Sequence, residues 1–409
     1  MFYRELYKKL EKHLNHKNYT IITGARQVGK TSLLKQLFQH LKTIDEEVVL
    51  LNLEDKSLLN SLNKDVKSVF NHVQFIPQKI IDGKAKKRIF LLIDEIQYLD
   101  DPTNFLKFLY DEYEYNVKVV ATGSSAFYLD TKFNDSLAGR KRIFRLYPLS
   151  FNEFLIFKRQ DKINNEIFYG VQEPSYVSQY GNTTYKLFLE YLTYGGYPAI
   201  VLEEDREEKK WLLEELKNSY LRKDITDAGV EKEAKFMLLV QLLADQIGNL
   251  VNRNELGNTL GLDNKTVDKY LFILEKSFHI DLVKPFFKNL RKELTKMPKV
   301  YFNDIGLRNA ILGNFDNALN RLDKGALFEN FVYNQLRIKH DRFKLKYWRT
   351  ASGNEVDLVI EERFNQGYAL EVKWDCKQFK ASKYKKFVAT YPNFPLKCID
   401  SNDLEILTY

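Results

Sequence analysis

Residues 24–31 read Gly24-Ala25-Arg26-Gln27-Val28-Gly29-Lys30-Thr31 and satisfy G-x-x-x-x-G-K-[ST] at every position. The setting fits as well. Tyr19–Thr23 is a β-rich run, and residues 31–41 carry apolar side chains at helical spacing. Such a chain passes from a strand through a glycine-containing loop into a helix. The glycines let the backbone curl until successive N–H groups face inward, and the helix adds the positive end of its dipole. A loop of this kind holds phosphate. Lys30 sets a charge on the β and γ phosphates of a nucleotide, and Thr31 offers a hydroxyl to magnesium. Ser32 completes the expected binding residues. The predicted cofactors are ATP and Mg2+.

Further apolar runs lie at 48–53, 89–93, 117–122 and 143–146, separated by amphipathic segments such as 103–113. Strands interleaved with helices predict a parallel α/β sheet that ends near Pro148. The run 89–93 is followed by Asp94 and Glu95, at the strand end where such sheets bind ligands. Asp94 is expected to hold magnesium, directly or through water, and Glu95 to polarise the attacking water. The run 117–122 ends in Gly123-Ser124-Ser125, where either Thr122 or Ser124 is placed to bond the γ-phosphate or the water. Arg140 is the expected second cation on the γ-phosphate, in cis or toward a neighbouring subunit of a homo-oligomer, with Lys141, Arg142 and Arg145 as competitors.

The phosphate loop, Asp94-Glu95, Thr122-Gly123-Ser124, Gly139-Arg140, Tyr147-Pro148-Leu149-Ser150-Phe151 with Glu153-Phe154, and Gly195-Gly196-Tyr197-Pro198 follow one another in this order. Together they resemble the prokaryotic AAA-type ATPases that carry a C-terminal nuclease-like domain, and are similar to the archaeal and signal-transducing branch of P-loop proteins. The resemblance implies a sheet of order 5-1-4-3-2 with a helical lid after it. It also implies that Gly196-Tyr197-Pro198 touches the nucleotide, through Pro198. Residues 159–183 match nothing in that pattern and read as a loop or insertion.

Beyond the sheet the chain reads as helical to about residue 235. From 236 to 304 it reads as three helices and a hairpin, the order of a winged helix-turn-helix. Lys265, Thr266 and Lys269 lie on the exposed face of its second helix. Lys288, Arg291, Lys292 and Lys296 lie in the wing. Such cations hold phosphates without reading sequence. In the last block, Glu371 and Lys373 share a strand face, Asp357 stands on the adjoining strand, and Glu329 lies on the preceding helix. Carboxylates that hold magnesium beside a lysine that activates water suit phosphodiester hydrolysis. The set is similar to the PD-(D/E)xK nucleases, in which Glu329, Asp357 and Glu371 would hold the metal.

The expected architecture is therefore α/β. An ATPase domain spans 1–150, a helical lid 151–235, a winged helix 236–312, and a restriction-endonuclease-like domain 313–409. The leading function is ATP hydrolysis coupled to a DNA-binding, nuclease-like module. The alternative is a nucleotide-gated adaptor in signalling or defence whose C-terminal domain only binds a partner. A pure DNA-binding regulator would need no Glu95. The net charge of +8 suits a nucleic acid without identifying one. Cys376 and Cys398 have no zinc spacing and suggest no disulfide framework, and six histidines are scattered. No signal-like apolar segment or membrane-length run occurs, so a cytoplasmic protein without a membrane partner is expected.

Overall fold

A computed structural model describes residues 2–73, 88–123, 137–172, 180–287, 293 and 296–402. The chain divides into two compact units. One comprises Met1–Tyr147 with Lys276–Phe278, the other Pro148–Glu275 with His279–Tyr409.

The first unit contains α1 (Glu5–Leu14), β1 (Tyr19–Thr23), α2 (Lys30–Thr43), β2 (Glu47–Asn52), α3 (Lys56–Lys64), β3 (Ile89–Asp94), α4 (Pro102–Tyr113), β4 (Val117–Gly123) and β5 (Lys141–Arg145). Its five strands are parallel in the order β2-β3-β4-β1-β5. Read from the other edge this is 5-1-4-3-2, the order the resemblance implied. Strands β1, β3 and β4 are buried along their whole length, as expected for a sheet covered on both faces. Ile21, Leu91, Ile93, Val119 and Ala121 pack with Leu106 and Leu109 of α4. That helix starts where Pro102 occupies the first turn and Asp101 accepts from the Asn104 N–H. A lysine interrupts the apolar pattern inside β4. Lys118 in β4 is fully buried and donates to the carbonyls of His13 (2.9 Å), His16 (3.1 Å) and Asn18, satisfying groups at and beyond the end of α1.

The second unit opens with α5 (Phe151–Phe157). Ser150 accepts from the Glu153 N–H and Glu153 accepts from the Ser150 N–H, a reciprocal cap that explains the Ser-x-x-Glu spacing. Then follow α6 (Asp161–Gln172), α7 (Gly181–Tyr194), α8 (Pro198–Leu202), α9 (Arg206–Asp227) and α10 (Glu233–Asp245). Much of the stretch 159–183 expected to be a loop is thus the helix α6, in which Ile163 and Ile167 are buried one turn apart. Next come α11 (Arg253–Leu260), a turn at Gly261 (φ 62°), α12 (Asn264–Lys276), and the antiparallel ribbon β6 (Ile280–Val283) and β7 (Lys299–Phe302). Of the expected wing cations, Lys288, Arg291 and Lys292 lie outside the described residues, and Lys296 is exposed.

The remainder is α13 (Ile305–Leu312), α14 (Lys324–Lys339), β8 (Leu345–Arg349), β9 (Glu355–Arg363), β10 (Gln366–Val372), α15 (Lys385–Thr390) and β11 (Leu396–Ile399). The sheet runs β11-β10-β9-β8, antiparallel except that β11 lies parallel to β10. The two cysteines, given no pairing by their spacing, form a disulfide. Cys398 lies opposite Glu371 in the β10/β11 register, and Cys376 follows just after β10, with 6.1 Å between their Cα atoms.

Candidate nucleotide site and C-terminal acid cluster

The loop after β1 is shaped by backbone that few residues tolerate. A Cβ on Gly24 would stand 2.1 Å from the Leu146 carbonyl oxygen, so only glycine fits. Gly29, at φ 99°, turns the chain into α2, which starts at Lys30. The first-turn N–H groups of α2 therefore open onto the loop. The Lys30 side chain is buried and its Nζ donates to the carbonyls of Gly24 (3.1 Å) and Ala25 (2.7 Å). Arg4, also buried, donates to the Val28 carbonyl (2.6 Å) and the Tyr147 carbonyl (2.8 Å), tying the loop to the chain beyond β5. Sequence reasoning missed Arg4. It belongs to no motif, and its partners lie 24 and 143 residues away.

The neighbouring strand ends meet the loop through a chain of hydrogen bonds. Thr31 Oγ1 donates to Asp94 Oδ2 at 2.7 Å. Ile93 pairs with Ala121, which sets Asp94 beside Thr122, and Thr122 Oγ1 donates to Asp94 Oδ1. The same hydroxyl accepts from the Glu95 N–H at 3.1 Å. Glu95 is in the left-handed region (φ 57°, ψ 50°), a conformation that costs energy and recurs at functional sites. Its Oε2 accepts from Gln97 Nε2. The donor set suits magnesium and a triphosphate: a hydroxyl and a carboxylate oxygen side by side, a lysine, and a glycine cradle that a Cβ would fill.

Not every expected residue joins this group. Thr122 is fully buried and its single proton goes to Asp94, so it positions Asp94 and Glu95 and has no proton to give a phosphate. Ser124 lies outside the described residues. Ser32, like its neighbour Thr31, is exposed on the first turn of α2, whose N–H groups open onto the loop. Arg140 stands at the wrong edge of the sheet. Its carbonyl accepts from the Tyr19 N–H at the start of β1, whereas the loop leaves β1 at Thr23, roughly 13 Å along the strand. Its guanidinium pairs with Asp111 (3.0 Å) over the Tyr110 ring. The in-cis role expected of Arg140 is therefore corrected. Arg145, its competitor, is the exposed residue opposite Thr23 at the loop edge. Pro198 opens α8 in the second unit, and what precedes it is a packed joint. The Gly196 N–H donates to Asp304 Oδ2 (2.7 Å), and a Cβ on Gly196 would meet the Leu149 carbonyl oxygen at 2.4 Å. Asp304 also caps α13 at the Leu307 N–H. Burial raises its pKa to about 6 against the opposing pull of these bonds.

In the second unit the four residues expected on α14, β9 and β10 do converge. Lys373 Nζ meets Glu371 Oε1 at 2.5 Å and Asp357 Oδ2 at 3.5 Å, and the Val372 N–H donates to Asp357 Oδ2 at 2.9 Å. An unexpected residue stands among them. Lys299 of β7, 1% exposed, places its Nζ 2.9 Å from Glu329 Oε1, 2.5 Å from Glu355 Oε1 and 3.6 Å from Asp357 Oδ1. Tyr301 donates to Glu329 Oε1 at 2.6 Å, and Arg349 binds the other oxygen of Glu355 at 2.8 Å. Burial alone would lower the Lys299 pKa, but Glu329, Tyr301, Asp357 and Glu355 overcome it and hold the amine charged. Burial pushes Glu329 up to about 7, so it readily takes a proton. Burial and Asp357 raise Glu371. Among the described residues, no group of three or more His, Cys, Asp or Glu is arranged to hold a metal ion. The magnesium expected on Glu329, Asp357 and Glu371 does not fit this arrangement, because an ammonium holds the centre. Lys299 had a sequence signal: Lys299 and Tyr301 share a strand face at i, i+2.

Models of known families match three segments. Residues 16–155 match an AAA domain, and residues 185–318 and 324–401 match two domains of unknown function, DUF8612 and DUF4143. An uncharacterised protein of Haemophilus influenzae is 30% identical over 319 residues, covering 76% of this chain and 73% of its own length. An uncharacterised protein of Methanocaldococcus jannaschii is 25% identical over 386 residues, covering 90% of this chain and 79% of its own. Among solved structures, the Aeropyrum pernix Orc1 protein in complex with DNA aligns with 76% of this chain and 93% of its own, at 12% identity and a TM-score of 0.32.

Proposed function

The chain belongs to the family of the Haemophilus influenzae protein and carries an AAA domain, and from that premise we propose that its first unit binds ATP with Mg2+ at residues 24–31 and hydrolyses the γ-phosphate. The observation that carries this is the chain Thr31–Asp94–Thr122–Glu95, which links the loop to an acid held in a strained backbone. Lys30 exchanges the Gly24 and Ala25 carbonyls for phosphate oxygens. Thr31 and Asp94 hold Mg2+, which neutralises charge on the β and γ phosphates when bound. Glu95 orients a water whose oxygen bonds to the γ-phosphorus as the bond to the ADP oxygen breaks, and it accepts the water's proton. Arg145 is the cation we assign to the γ-phosphate side. The test is Glu95→Gln, which is expected to bind ATP as wild type does and to hydrolyse it roughly 100-fold more slowly or worse. Hydrolysis at the normal rate would remove Glu95 from the role of base.

For residues 313–409 the nuclease and the partner-binding adaptor remain the two readings, and the Lys299 contact favours the adaptor. The check is Mg2+- or Mn2+-dependent cleavage of DNA by wild type, Asp357→Ala and Lys373→Ala. Cleavage by wild type that both substitutions abolish would restore the nuclease. A DNA contact through Lys265, Thr266, Lys269 and Lys296 is measured separately, as affinity that falls steeply with salt.

A further inference from the structure

We propose that the Lys299 ammonium is a built-in replacement for a divalent metal ion in the C-terminal acid cluster. The acids then serve as an ion-pair joint between the β6/β7 ribbon and the β9/β10 sheet. The inference rests on the adaptor reading above and deepens it.

Three carboxylates from two elements, Glu329 of α14 and Glu355 and Asp357 of β9, point oxygens at one nitrogen within 3.6 Å. Oxygen ligands from separate elements meeting at a point is how a hard cation is held, and Mg2+ would need those oxygens to close in by roughly 1 Å. The nitrogen is supplied from a third element, the strand β7, which is fixed by pairing with β6 and by a bridge from Leu250 to Lys299. Lys299 also stacks above the Tyr347 ring, 5.7 Å from its centroid. The lysine is thus placed by the fold.

A second observation marks the cluster as cation-hungry. Glu371 is 3% exposed, and apart from the Tyr384 hydroxyl that faces the carboxylate its Oε2 has no close hydrogen-bond partner. Glu329, Glu355, Asp357 and Glu371 outnumber Lys299 and Lys373, with Arg349 only on the outer oxygen of Glu355. Removing the Lys299 charge leaves buried carboxylates uncompensated, which is strongly unfavourable unless a proton, for which Glu329 is primed, or another cation enters.

The experiment compares Mn2+ binding to wild type, Lys299→Met, and Lys299→Met combined with Asp357→Asn. Free Mn2+ is followed by electron paramagnetic resonance without nucleotide, beside thermal unfolding with and without Mn2+. Lys299→Met is expected to hold one additional Mn2+ per chain, to lose it in the double variant, and to unfold at a higher temperature when Mn2+ is present. Lys299→Met with Glu329→Gln, which sheds one acid with the lysine, is expected to behave like Lys299→Met. It serves where the single variant does not fold. A folded lysine-free variant that gains no Mn2+ overturns the proposal. So does a wild type whose bound Mn2+ disappears on Asp357→Asn. DNA cleavage tests the adaptor reading on its own, so the two fail by different signs.

Discussion

The Thr122 hydroxyl has one proton, and Asp94 takes it, while its lone pair holds the Glu95 N–H. Thr122→Val keeps the shape and removes both bonds. Bonds to a charged group contribute about 1.5–3 kcal/mol each, so hydrolysis is expected to fall by roughly one to two powers of ten. ATP affinity should change little, which separate binding and turnover measurements would show. Asp323 gives a pH prediction. Burial would raise its pKa, but bonds from Arg321 (2.7 and 2.8 Å) and Arg308 (2.6 Å) outweigh that and lower it from 3.8 to about 2. A depressed folded pKa contributes stability above 3.8 that is lost as pH falls toward 2. Denaturant titrations at pH 7 and pH 3 should show Asp323→Asn costing at most about 1 kcal/mol more at pH 7, allowing for its partial exposure. At this scale the phosphate loop, Asp94 and Glu95 were readable because their partners follow from local spacing on strands of known order. Arg4 was not, and Lys299 showed only its shared strand face with Tyr301, because each acts on residues that only the fold brings near.

Elements were readable where burial leaves a period. Tyr19–Thr23 was read residue for residue, since a fully covered strand is continuously apolar and the motif fixes its end. The Ser150–Glu153 cap starts α5 within a stretch that reads from sequence only as helical. Helix α6 escaped although Ile163, Ile167 and Val171 recur at helical spacing, because the polar, Gly- and Asn-containing stretch around them reads as turn signals. Strand β11 escaped because only Ile399 of its four residues is buried. That strand carries Cys398, and the disulfide to Cys376 closes a loop with a separation of 22 residues. In the chain-entropy account a loop of this length is stabilised by about 3 kcal/mol. Cys398→Ser is expected to lower the unfolding free energy of the second unit by that amount, and dithiothreitol should do the same to wild type but not to the variant. Equal stability with and without reductant would show that the bond contributes nothing.

At the scale of the molecule, two compact units and three family matches along one chain assign nucleotide chemistry to residues 1–147. The parallel sheet and its order were legible from alternating strands and helices together with the family resemblance. The reading of residues 313–409 as a metal enzyme was not secure, because a row of acids does not reveal which cation faces it. The net charge of +8 decides little here, since basic residues such as Lys118 and Lys299 are consumed inside the fold. Mg2+-dependent phosphate release from ATP, measured on the purified chain beside Lys30→Ala, tests the central claim most directly. The expected result is saturable release by wild type that EDTA stops and that Lys30→Ala lacks together with ATP binding. Release that is equal in Lys30→Ala, or a wild type that neither binds nor hydrolyses ATP with Mg2+ present, would contradict it.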